Sequence, residues 1–208
     1  MYVRAILVEA DPTHVAYIRH AIQAAGVSLA QVQVIDAAIG GRDGVGEMTV
    51  GNAEAWWGQV LSSVRQLFSP EGFVVDSAAE ANTHQQTRTP RDPETVYLRT
   101  VPVVSLQTLL AGEEVVDLVH FDCQGQELPV LKEALQVGGV LDKVKALHIG
   151  THSPAIEAQI FGMLCKARWH LVALHLQASS DLMFRFRSRQ FNGGDGIQVC
   201  LNPPRVHH

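Results

Sequence analysis

The chain has 208 residues, 47% of them apolar and 18% charged, with 17 glycines. A domain of that size buries roughly 70% of its unfolded surface, so no disulfide scaffold or zinc site is needed, and the composition excludes a largely disordered or fibrous chain. Sixteen Lys+Arg against 21 Asp+Glu give a formal charge of −5, which removes any global pull toward phosphate backbones and with it nucleic acid as the main partner.

Residues 3–8 form a β-branched and aliphatic run that stops at Glu9-Ala10-Asp11-Pro12. Asp11 suits a helix cap and Pro12 the first helical position. Val15, Ile18, Ile22 and Ala25 then recur at helical spacing until Gly26, and a second apolar run covers residues 32–38. Strand, helix, strand within 40 residues predicts a parallel crossover. Gly40-Gly41-Arg42-Asp43-Gly44 reads as a turn cluster, residues 47–50 as a short strand and residues 56–68 as a helix carrying the packing residues Trp56 and Trp57. Residues 82–95, polar and twice interrupted by proline, read as a mobile loop.

Strand character resumes at 101–105, followed by a short helix that Ser105 begins, and residues 115–121 read as a strand buried on both faces. Helices are expected at 128–137 and 154–167, and strands at 144–149, 170–175, 182–186 and 197–201. The whole is expected to be one α/β domain over residues 1–208. Cys123, Cys165 and Cys200 form no C-x-x-C pair, which fits a reducing compartment. No secretory leader and no apolar run of membrane-spanning length is written here, so a soluble, cytoplasmic enzyme or binding domain without a membrane partner is expected.

Ligands of open α/β sheets collect beyond the carboxyl ends of the strands. At the first such end stands Glu9, either a ribose-diol acceptor or a solvated acid stabilised by the following helix. At the second, Asp36 and Ala37 could meet an adenine ring, or serve turn chemistry alone. The third end, Asp122-Cys123-Gln124-Gly125-Gln126-Glu127, is the densest polar cluster. Asp122 there is either a helix cap or an acid whose desolvation a ligand must offset. The fourth, His148-Ile149-Gly150-Thr151-His152-Ser153, carries two histidines four apart. No third ligand accompanies them by spacing, so no metal site is assigned, and His152 is the better candidate for a catalytic or substrate-contacting histidine. Arg185, Arg187 and Arg189 alternate with Phe184 and Phe186, either as a face for an acidic substrate or as a solvated edge that blocks aggregation.

In this order the segments ILVEADPTHVAYIRHAI, VQVIDAAIGGRDG, VDLVHFDCQGQELPVLKEAL, VKALHIGTHS and DGIQVCLNP resemble the FkbM family of S-adenosylmethionine-dependent methyltransferases. The resemblance implies a Rossmann-like, mostly parallel sheet with an antiparallel terminal strand, in the order third-second-first-fourth-fifth-seventh-sixth. It implies S-adenosylmethionine as cofactor, Glu9 at its ribose, Asp36 and Ala37 at its adenine, and a small-molecule or carbohydrate acceptor. Asp122, His152 and Glu127 then become the catalytic candidates, and Gln124 and His148 the acceptor contacts. Gln124 stands where the family usually has Glu, which leaves hydrogen bonding and puts acid-base work at that position in question.

The family's first central strand and its glycine-rich turn have no counterpart here, so the chain is expected to be incomplete at its amino end, with two exposed sheet edges that favour self-association. The leading expectation is a methyltransferase domain acting on a hydroxyl. One rival is a non-catalytic Rossmann-like binding or interaction domain; another is a metal-assisted enzyme using Asp122, His148 and His152.

Overall fold

The computed structural model describes residues 3–28, 30–50, 61–65, 97–175 and 196–203. The chain forms two compact units, Met1–Val104 and Ser105–His208.

The first unit begins with the expected crossover. Strand β1 (Ala5–Glu9) leads into helix α1 (Pro12–Ala24) and back to β2 (Val32–Asp36). The two strands pair in parallel, from Ala5 opposite Val32 to Glu9 opposite Asp36. Asp11 caps α1 by accepting from the Thr13 and His14 amides, with Pro12 in the first turn where its missing N–H costs nothing. Val15 and Ile22 bury the inner face of the helix, and Gly26 at φ +66° lets the chain leave it.

The apolar run at 32–38 is broken by a bend at Ala37 into β2 and a separate strand β3 (Ala38–Gly40). With β4 (Gly44–Val50), β5 (Leu61–Arg65) and β6 (Tyr97–Ser105) it forms a second sheet in the order β3-β6-β4-β5. Ala10, Ala38, Met48, Leu61, Val101 and Val103 are its core. The helix expected at 56–68 is therefore corrected over 61–65. Leu-Ser-Ser-Val-Arg has weak helix preference, and pairing along β4 decides its state. Trp56, Trp57, the loop at 82–95 and the arginines at 185, 187 and 189 lie outside the described residues.

The second unit opens with α2 (Leu106–Leu109), capped by Ser105. It continues through β7 (Val116–Phe121), α3 (Glu127–Gln136), a 3-10 turn (Leu141–Lys143), β8 (Val144–Thr151), α4 (Pro154–Lys166), β9 (His170–His175) and β10 (Gly196–Leu201). The sheet order is β7-β8-β10-β9. β7 and β8 are parallel, and β10 runs antiparallel to both β8 and β9. On β8, fully buried Leu147 and Ile149 alternate with half-exposed His148 and Gly150. α3 and α4 pack against β8, and their own buried residues include Val130 and Leu131 on α3 and Ile160 and Leu164 on α4.

Two expectations change here. The structure is mixed α/β with open sheets, but β4–β5, β4–β6, β8–β10 and β10–β9 are antiparallel, so among the described residues parallel pairing does not dominate. β7 is not buried on both faces: Leu118 is 57% exposed, because β7 stands at the edge of its sheet and the α3–α4 layer covers one side.

Candidate functional site

β7 and β8 pair in parallel with His120 opposite His148 and Phe121 opposite Ile149, so their carboxyl ends finish side by side. From β7 the chain enters a tight turn in which Gln124 (φ 50°) and Gly125 (φ 95°) both adopt left-handed backbone and the Gln126 amide donates to the Cys123 carbonyl. That turn drops Glu127 into the first position of α3, fully buried. From β8 the chain passes His152 and enters α4, where the Ser153 hydroxyl accepts from the Ile156 amide. Gly150 makes room between the two loops, since a Cβ there would lie 3.3 Å from the Phe121 carbonyl oxygen and 3.8 Å from Asp122 Oδ1.

His152 is the junction. Its Nδ1 lies 2.8 Å from Glu127 Oε1 and its Nε2 3.2 Å from Asp122 Oδ1. Neither ring N–H aims along its contact, so the pairing is ionic attraction at short range more than aligned hydrogen bonding. Glu127 Oε1 also accepts from the Cys123 amide at 3.0 Å, whereas Glu127 Oε2 is buried with no hydrogen-bond partner among the described residues. Asp122 is the open member, its side chain 60% exposed against 13% for His152. Asp122 is thus not the cap of α3; Gln126 holds that position without a side-chain cap.

The electrostatics follow from these contacts. The Asp122 and Glu127 contacts push the His152 imidazole up to about 10. Contact with His152 holds Asp122 below its ordinary range against partial desolvation. Burial is the largest influence on Glu127 and pushes it up, but His152 and the amides of Glu127 and Cys123 outweigh it and hold it low. Burial, then Glu127, drives the Cys123 thiol well above its usual range, which disfavours the thiolate form.

A second histidine enters that sequence reasoning missed. His120 Nδ1 lies 2.7 Å from His148 Nδ1, with the rings tilted 40° to each other. Burial, then the charge of His120, lowers the His148 imidazole. Alternation along HFD places His120 on the face of Asp122, but only the β7–β8 register brings it to His148. Among the described residues no group of three or more His, Cys, Asp or Glu side chains is arranged to hold a metal ion; His152 faces carboxylates and His148 faces His120.

In the first unit, Glu9 and Asp36 finish neighbouring parallel strands opposite each other. Glu9 Oε1 accepts from the Asp11 amide at 2.7 Å, Oε2 stands 3.9 Å from His14 Nδ1, and the Glu9 carbonyl accepts from the Ala37 amide. Glu9 therefore braces the start of α1 with one oxygen. Asp36 is exposed and Ala37 buried. Two strand-end carboxylates beside a small residue fit the hydroxyls and amino group of a nucleoside.

No family model and no solved structure matches the chain. It is similar to a protein named "Putative methyltransferase" from Jannaschia sp. (strain CCS1), 25% identical over 166 residues that cover 79% of this chain and 51% of that protein. The chain spans about half the length of that relative.

Proposed function

We propose that this chain is an S-adenosylmethionine-dependent methyltransferase domain of FkbM type that methylates a hydroxyl of a small molecule or sugar. Three observations support the reading. The Jannaschia relative carries a methyltransferase name. The orders β1-β2 and β7-β8-β10-β9 agree with the strand neighbours that the resemblance implies, including an antiparallel β10. Polar residues cluster beyond the carboxyl ends of the parallel strands of both units. The observation that carries the chemistry is the open Asp122 carboxylate beside His152, itself backed by buried Glu127.

The nucleoside half of the cofactor fits Glu9 and Asp36, with Ala37 leaving space for a flat ring; when bound, the cofactor supplies an electrophilic sulfonium methyl group. Asp122 Oδ2, the oxygen that His152 leaves free, would accept the hydrogen bond of the acceptor hydroxyl and then its proton. Held low, the carboxylate is a weak base, so its main contribution is to orient the attacking oxygen. Gln124 follows Asp122 by two residues and His148 stands opposite His120 on β8; both are assigned to acceptor contacts.

A second reading, a non-catalytic binding domain, is favoured by one fact: among the described residues no glycine-rich turn follows a strand into a helix to hold the methionine half of the cofactor. Calorimetric titration with S-adenosylhomocysteine separates the two. Micromolar binding that Glu9→Ala abolishes supports the methyltransferase; no binding supports the silent domain.

A further inference from the structure

We propose that His152 is a positioning residue, an imidazolium clamped between Asp122 and Glu127 that holds the acceptor-facing carboxylate in place and never acts as the base. The clamp stands on geometry alone; its consequence for methyl transfer rests on the function proposed above.

Each ring nitrogen of His152 has a carboxylate oxygen within 3.2 Å, one from Asp122 and one from Glu127. The contacts lie off the ring N–H directions, so what the ring supplies is charge, and a neutral imidazole would offer its two carboxylate neighbours none. Only the doubly protonated ring suits both neighbours. Burial makes the same demand from the other side. Glu127 is fully buried, and a carboxylate taken out of water is tolerated only when a cation compensates it. Lys143 meets the Leu110 carbonyl and Lys145 meets Asp117. His152 is the cation that meets Glu127.

The surrounding groups leave that charge in place. Asp122 faces the ring from the β7–α3 turn and Glu127 from α3. Cys123, beside Glu127, stays a neutral thiol. His120 and His148, in Nδ1–Nδ1 contact at 2.7 Å, act on Asp122 from β7 and β8. α4 contributes the buried acid Glu157. Two carboxylates and one imidazolium leave the cluster with one net negative charge, carried outward by Asp122. The clamp also joins the loops after β7 and β8, so the acceptor-facing carboxylate moves only if both loops move.

The test is proton-detected nitrogen NMR of the histidine rings in the full chain, with the His152 signals assigned by their loss in His152→Gln. Both ring nitrogens should remain protonated from pH 6 to 9, and Asp122→Asn, which alters an open side chain, should lower the titration midpoint by about 1 to 3 pH units. A His152 ring that is neutral at pH 8, or one whose midpoint is unmoved by Asp122→Asn, overturns the clamp. In an active preparation, His152→Gln should reduce kcat and move the acidic limb of the pH–rate profile upward without removing it, because Asp122 loses the contact that holds its carboxyl low. Removal of a pH-dependent limb by that substitution would make His152 the base and overturn the proposal. Absence of both cofactor binding and methyl transfer with the NMR result intact would count against the methyltransferase reading and leave the clamp standing.

Discussion

Glu127, the first residue of α3, has no exposed surface and meets His152 Nδ1 at 2.8 Å across the ends of two parallel strands. The pair ties α3 to the loop after β8. Glu127→Ala would leave an imidazolium and the Cys123 amide without their acceptor, and the expected cost is about 3 kcal/mol in urea unfolding. Glu127→Gln keeps an acceptor for the amide and should cost less. Equal losses for the two would mean that the charge contributes nothing.

The same contacts give stability a pH signature. The folded His152 pKa, about 10, lies above its ordinary 6.5, so the folded state keeps a proton that the unfolded chain releases. Its contribution is fully present below pH 6.5 and is lost as pH rises toward 10. Asp122 and Glu127 are held below 3.8 and 4.5, so their contribution is present above those values and lost as the solution is acidified through their lowered pKa values. Stability should therefore fall from pH 7 to pH 10, and the fall should be shallower in His152→Gln. Thermal melts across that interval check it.

His120 and His148 make a separate prediction. Removing the His120 ring takes away the second of two influences that lower His148, while burial remains. In His120→Ala the His148 midpoint should rise part of the way toward its ordinary value, as read from its ring-proton shifts. No movement would mean that the 2.7 Å contact is not made in solution.

Gly40 and Val103 test the first unit. A Cβ at Gly40 would lie 2.5 Å from Val103 Cγ1, and Val103 is among the most buried core residues. Gly40→Ala should destabilise by about 1 to 3 kcal/mol through overpacking. In the double variant with Val103→Ala the added methyl has room, so the combined loss should be smaller than the sum of the single losses. Additivity would place the two side chains apart.

Much of this was written in local sequence. Asp11, Pro12 and Gly26 punctuate the first helix through capping chemistry that needs only neighbouring residues, and the apolar periodicity of 128–137 and 154–167 marks α3 and α4 without reference to the rest of the chain. The strand ends carrying Glu9, Asp36, Asp122 and His152 were legible for the same reason: each apolar run stops at a polar cluster.

Tertiary structure decided what depends on register and burial. Residues 61–65 became a strand because β4 offered them a ladder, and local preference was too weak to resist. His120 gained importance because β7 and β8 align it with His148, a pairing 28 residues apart that no spacing rule reveals. The charge on His152 likewise arises from two carboxylates delivered by different elements, one of them buried. Sequence by itself determined which side chains stand where strands end, because strand ends are local events. Only the fold determined which of them meet and what protons they hold, because ionisation responds to every charge and every desolvating neighbour within a few ångströms.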